Sequence, residues 1–233
     1  MAKYGIPADQ LEHYREGAHG EALYVEGNLA SPTCIGCHGS HAALPPTVTE
    51  IAQVCGHCHQ LMAQAFYAGP HGVPSMAGEL PGCLGCHSTH GTARIPPDQV
   101  DELCTSCHDA DSSVPALATE IEEEILKARA ELDAARTSIA AMESVGRSAA
   151  DERFRYLAAY TAYRQFGRAQ HALDLGEMAE LGRQVRSNTG IIDATAEAYA
   201  EERWEHKLLL VPVWFLALSA LALALFKLRE LER

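Results

Sequence analysis

Four short cysteine–histidine motifs constrain this chain more than anything else in it. They are Cys34-Ile-Gly-Cys37-His38, Cys55-Gly-His-Cys58-His59, Cys83-Leu-Gly-Cys86-His87 and Cys104-Thr-Ser-Cys107-His108, and they use all eight cysteines. Two thiols three positions apart, followed at once by an imidazole, form the attachment pattern of c-type haem. The thiols add across the two vinyl groups of one macrocycle, and the imidazole turns back to bind its iron from one side. The segment is poor in large aliphatic residues and rich in Cys, His, Gly and Pro, so it has little with which to build a side-chain core. Macrocycles would take the place of that core. The motifs imply four covalently attached haem c groups.

The segment is also a duplication. Cys34, Cys37, His38, His41, Cys55, Cys58 and His59 recur 49 residues later as Cys83, Cys86, His87, His90, Cys104, Cys107 and His108. A His-Gly pair leads each copy, His19-Gly20 in the first and His71-Gly72 in the second. Self-similarity at a fixed period marks a repeated structural unit, and here the unit carries two haems and two histidines outside the motifs. Those spare histidines match the iron count. His38, His59, His87 and His108 are the proximal ligands, and His19, His41, His71 and His90 are the expected distal ones. Irons with two histidines are low-potential electron carriers without an open position, whereas a methionine ligand would raise the potential. His41 and His90 each sit three residues after a proximal histidine, so each is expected to cap a neighbouring haem. His13 reads as a surface residue, and His57, inside a motif, serves no iron. His171, inside a later helical stretch, reads first as a packing residue and second as an additional distal ligand.

A zinc reading competes for the same thiols. Within each copy the two motifs also fit C-x2-C-x17-C-x2-C, inside the range of a four-cysteine zinc site. Such a site has no need of a histidine after the second cysteine of each pair, yet all four pairs have one, which favours haem. The net charge is −13, and haem propionates would make the surface more acidic still. That balance excludes nucleic acid as a partner, because its binding rests on basic patches. Residues 1–30 carry no apolar leader core. Haem attachment outside the cytoplasm therefore expects a leader that was removed or that lies upstream.

The fold class expected is mainly α: a loop-rich, haem-packed N-terminal domain with little regular structure, then a helical hairpin and one transmembrane helix. The expected divisions are residues 1–18, a tetrahaem segment 19–112, a helical spacer 113–206 and an anchor 207–233. Pro45-Pro46, Gly69-Pro70, Pro74, Pro81-Gly82 and Pro96-Pro97 punctuate the first half. After Ser113 the composition turns to Ala, Glu, Leu and Arg. Ile121, Ile125, Ala128, Leu132, Ala135, Ile139 and Met142 alternate in spacing between four and three, the stripe of a helix packing along another helix. Gly146 ends that helix. A second is expected from about Ala149 to about Arg186, with Phe154, Tyr156, Tyr160, Tyr163 and Phe166 packing on the first helix or on a haem edge. Asn188 to Gly190 are expected to turn into a third. Leu208 to Phe226 hold no charge over 19 residues, about 28 Å of helix against a hydrocarbon core of about 30 Å. Trp204 and Trp214 suit an interface, His206 lies just before the span, and Lys227, Arg229 and Arg233 follow it. The C-terminus is expected in the cytoplasm and the motifs on the far side of the inner membrane.

The units HG…CxxCHxxH…CxxCH resemble the bis-histidine multihaem c-type cytochromes. That group includes the small tetrahaem cytochromes of sulfate reducers and the membrane-anchored tetrahaem quinol dehydrogenases that feed periplasmic nitrate and nitrite reductases. The resemblance covers residues 19–108. It implies closely spaced haems that relay electrons one at a time, with the ligand roles given above. The anchored quinol dehydrogenases carry their membrane helix before the haems, whereas this chain carries it after them. The expected function is that of an electron carrier, a subunit of a larger complex. Its partners would be a membrane-embedded or periplasmic redox protein and the membrane lipid. The alternative is a quinol dehydrogenase that oxidises menaquinol directly, with Glu201, Glu202 or Glu205 as proton acceptor.

Overall fold

In the computed structural model, residues 8–40, 53–80 and 82–231 are described. They are helical wherever they are regular, with no strand among them. The first half consists of short pieces: α1 (Gln10–Glu16), α2 (Ala18–Tyr24), α3 (Cys34–His38), α4 (Gln60–Ala68), α5 (Gly72–Met76), α6 (Leu84–His87), a 3-10 turn (Pro97–Gln99) and α7 (Val100–Thr105). Three long helices follow: α8 (Val114–Ser144), α9 (Ala150–Ala172) and α10 (Leu175–Leu231).

Compactness divides the chain into two units. One comprises residues 1–129 and 161–184, the other residues 130–160 and 185–233. Within the first unit, Ile121, Ile125 and Ala128 of α8 are buried, as are Ala162, Phe166 and Ala169 of α9 and Met178 and Leu181 of α10. Within the second, Ala135, Ile139 and Met142 of α8 pack with Ala149 and with Ile192 of α10, and Tyr156, Ala196 and Tyr199 lean on that cluster. All seven members of the heptad stripe are buried. The buried face of α9 is mostly alanine (Ala159, Ala162, Ala169) with Phe166 among them. Small side chains let neighbouring helices approach closely, and the larger aromatics move to the flanks. Phe154 and Tyr160, both expected to pack on the first helix or on a haem edge, accordingly stand exposed.

The two ends of the long helices are set by hydrogen bonds that can be named. Gly146 (φ 84) closes α8: its amide bonds Glu143 O at 3.0 Å and the Arg147 amide bonds Met142 O at 3.2 Å. These are the paired bonds of a Schellman cap. Arg153 pairs with Glu143 across the turn at 2.6 Å. The same cap recurs at Leu173 (φ 54), whose amide bonds Gln170 O at 3.1 Å while the Asp174 amide bonds Ala169 O at 3.0 Å. Asp174 then accepts from the Glu177 amide at 2.9 Å, capping the next helix, and Arg168 pairs with Glu177. The second long helix therefore ends at Ala172, not near Arg186 as expected. Asn188 to Gly190 are helical and make no turn. Burial explains why the helix continues through them: Thr189 and Ile192 are nearly fully enclosed, which outweighs the cost of about 1 kcal/mol for one glycine in a helix. The helix then runs on through Pro212, and the residues from Leu208 to Phe226 are exposed apart from half-buried Ser219. α10 is thus the one described helix long and apolar enough to cross a membrane.

Candidate functional site

Each motif folds as one helical turn. The amides of His59, His87 and His108 donate to the carbonyls of Cys55, Cys83 and Cys104 at 2.9, 3.0 and 3.0 Å, and Cys34–His38 is itself α3. One α-turn puts the first cysteine, the second three residues on and the histidine four residues on along a single face. Two thiols and one imidazole thus converge on the same side. After the first motif of each copy the chain then leaves the helix through positive φ, at Gly39 (76°) and at Ser88 (59°). The duplication is therefore a duplication of backbone as well as of residue type.

The motif histidines pair with histidines from elsewhere in the chain. His59 faces His19 with ring centroids 6.1 Å apart. His38 faces His90 at 6.1 Å, His108 faces His71 at 6.1 Å, and His87 faces His171 at 6.0 Å. The interplanar angles run from 17° to 40°. With a metal–nitrogen bond of about 2 Å and a centroid about 1.2 Å behind the ligating nitrogen, two rings on opposite sides of one iron would have centroids about 6.4 Å apart. The separations fit that arrangement. A spacing near 6 Å is not unique to such pairs, since Phe66 lies 6.4 Å from His71. The specific feature is that each of the four motif rings has one partner from outside the motifs.

The duplication is visible again in who pairs with whom. The His-Gly histidine of each copy faces the second motif of its own copy, His19 with His59 and His71 with His108. His90 crosses instead to the first copy. His41 lies outside the described residues. His13, exposed, sits 3.7 Å from Asp9, and His57 and His206 are exposed.

The glycines of the His-Gly pairs have a physical role. A Cβ on Gly20 would lie 2.0 Å from Tyr14 O, and one on Gly72 would lie 2.2 Å from Tyr67 O. In both copies the glycine of the His-Gly pair runs against a backbone carbonyl of the preceding helix, with no space for a side chain. Gly17 is held in the same way, 1.8 Å from Gly91 O for an added Cβ, and the Ala18 amide donates to that carbonyl at 3.2 Å. The loop that reaches across carries three non-glycine residues at positive φ, Ser88, His90 and Thr92. Backbone strain of this kind gathers where a fold must hold a functional group in place. Thr92 Oγ1 also lies 3.2 Å from His19 Nδ1, which steadies the ring.

Burial lowers the proton affinity of His19 and His71, and the facing rings of His59 and His108 add to it. Both are thereby kept in the neutral form that can bind a metal. Among the thiols, burial raises Cys37, Cys86 and Cys104. The Cys55 and Cys83 thiols share a hydrogen bond, which raises the first and lowers the second. The second and third motifs are therefore immediate neighbours at that edge.

None of the eight cysteines takes part in a disulfide. In the same half of the chain Tyr24, Val25, Leu29, Ile35, Leu61, Val73 and Met76 are exposed, apolar surface of the kind a macrocycle can cover. Among the described residues no three His, Cys, Asp or Glu side chains converge as a metal cage. The two thiols and one imidazole that each motif brings to a single face are the donors that c-type haem uses.

Residues 74–113 match the doubled CXXCH motif family, over the third and fourth motifs. Comparison with curated proteins and with solved structures returned no match. The chain thus carries a doubled haem c-binding motif, the kind found in electron-transferring c-type cytochromes, and such motifs imply covalent haem c.

Proposed function

We propose that this chain is a membrane-anchored tetrahaem c-type cytochrome with bis-histidine irons. It would exchange single electrons between a redox partner in the membrane and a donor or acceptor in the periplasm or outside the cell. The observation that carries the reading is the pairing of every motif histidine with one histidine from outside the motifs.

The eight cysteines would hold the macrocycles by thioether bonds, and His38, His59, His87 and His108 would bind from the proximal side. His19, His90 and His71 would close the opposite side of the second, first and fourth irons, leaving no position there for a substrate. When bound, haem c supplies reversible one-electron chemistry at iron, at low potential with two imidazole ligands. A closed set of ligands favours a carrier over a terminal reductase. The remaining residues keep the rings aligned: Gly20 and Gly72 admit the helices, and Thr92 steadies His19.

The apolar length of α10 supports a single anchor, with Trp204 and Trp214 exposed as interfacial residues. Lys227 and Arg229 beyond it favour a cytoplasmic C-terminus, with the motifs on the opposite side. An acidic surface at a net charge of −13 suits a basic docking patch on a redox subunit of the same complex. Direct oxidation of a menaquinol is the competing activity, and the test separates the two.

The test is haem quantification by alkaline pyridine spectrum with intact-protein mass on detergent-purified chain, then addition of reduced menaquinol analogue without oxygen. Four haems per chain, low-spin when oxidised and reduced by dithionite but not by the quinol, is the expected result. Fewer than four would overturn the tetrahaem reading, and prompt reduction by the quinol would make the chain a quinol dehydrogenase. A chain ending at Glu205 should purify without detergent; if it stays with the membrane, α10 is not the anchor.

A further inference from the structure

We infer that His171, from the end of the long helix α9, is the axial ligand opposite His87 on the iron of the third motif. This rests on the haem reading above and assigns the one distal position that reading leaves open.

Three independent observations meet at this residue. The first is the ring pair itself, 6.0 Å between centroids and 17° between planes, the smallest angle of the four.

The second is the hydrogen bonding of both rings. His87 Nδ1 lies 2.9 Å from Ala93 O, and His171 Nδ1 lies 2.5 Å from Gly167 O. A carbonyl can only accept, so in each ring Nδ1 carries the proton and Nε2 keeps its lone pair. Metal-ligating histidines show this arrangement, with one nitrogen pinned to a backbone acceptor and the other turned to the metal. An isolated helical histidine can also bond the carbonyl one turn back. Here, however, the ring it faces belongs to a haem motif and is pinned in the same sense.

The third observation is the packing that brings α9 to the site. A Cβ on Gly69 would sit 3.0 Å from Ala172 O and 3.2 Å from its Cα, so the last turn of α9 lies directly on the backbone that leads into His71. Gly167 takes the methyl of Met62, 3.4 Å from where its own Cβ would be. Immediately beyond, the left-handed Leu173 and the Asp174 cap reverse the chain, and Arg168 grips Glu177 across the reversal. The end of the helix is fixed on several sides, and the ring half-buried there has a defined target.

The repeat makes the inference sharper. His90 of the second copy faces His38 of the first. A strict exchange between copies would send His41 to His87, yet that position faces His171. The duplicated pattern of the first hundred residues thus breaks at one iron. A helix without a counterpart in the repeat completes the set.

The test compares His171→Ala, His171→Met and His41→Ala in full-length, detergent-purified protein. Haem count per chain comes first, because four haems in wild type must hold for the question to arise; any other count sinks the tetrahaem reading and not only this ligand. With four haems, His171→Ala is expected to convert one haem from low-spin to high-spin in the electron paramagnetic resonance of the oxidised protein. It should also take up one carbon monoxide per chain when reduced, where wild type takes none, and added imidazole should restore the low-spin spectrum. A residue that only packs would not be rescued by imidazole. His41→Ala should leave all four haems low-spin. If His171→Ala stays fully low-spin, or if His41→Ala alone gives the high-spin haem, the assignment is wrong. Where His171→Ala does not accumulate, His171→Met decides: a methionine-to-iron charge-transfer band in the red is expected, and its absence overturns the inference.

Discussion

Replacing Gly72 by alanine tests the way the distal histidines are held. The added Cβ would lie 2.2 Å from Tyr67 O and 2.6 Å from the Tyr67 carbonyl carbon. Carbon–oxygen contacts of this type settle at about 3.3 Å, so α5 must retreat by about 1 Å from α4. The obstacle is backbone, which cannot rotate away as a side chain would. Overpacking of this sort costs about 1–3 kcal/mol. The same retreat carries His71, the next residue, away from His108. A metal–nitrogen bond of about 2 Å does not stretch by half its length, so one ligand should detach in a large fraction of molecules. If the chain carries the four haems proposed, the expected result is all four retained, one of them partly high-spin, and a lower midpoint in thermal unfolding followed by circular dichroism. Gly20→Ala should do the same through Tyr14 O, at 2.0 Å. A Gly72→Ala protein with a fully low-spin spectrum and an unchanged midpoint would refute the argument that these glycines exist to admit a carbonyl.

Other substitutions probe the helices. Leu173→Gly relieves a left-handed residue with a side chain, and should stabilise by about 1 kcal/mol in denaturant unfolding without changing the haem spectrum. Gly190→Ala meets nothing within 4 Å and should add about 0.5–1 kcal/mol through helix propensity; a loss would mean that this stretch of α10 is not helical. Ile121→Ala empties a site that is 1% exposed and should cost about 2–5 kcal/mol, read as a fall in the denaturant midpoint.

The parts of this fold that were legible in the sequence are those with local rules. The heptad stripe from Ile121 to Met142 forecast a buried face, and all of it is buried. Gly146 forecast a helix end and sits at positive φ. The second helix end is not legible because its left-handed residue is Leu173 and no glycine stands there to mark it. The Asn188–Gly190 stretch carries turn residues but gains more from burying Ile192 than it loses in propensity. The motifs and the His-Gly pairs were plain, and the four rings outside the motifs could be counted. Their pairing could not be read, because His90 reaches its partner across 52 residues and His171 across 84, and no local period records such contacts.

Those separations bear on the order in which the chain can mature. A chain delivered N-terminus first presents His19 before His59 and His71 before His108, so these two pairs can close as soon as their motifs emerge. His38 must wait for His90, and His87 must wait until nearly all of α9 has followed it. At the second and fourth motifs the motif ring is thus the last of its pair to emerge, and at the first and third motifs it is the first. Until α9 arrives, the third motif holds only one of its two rings. The helical half of the protein then acts as the latch on the last site to close.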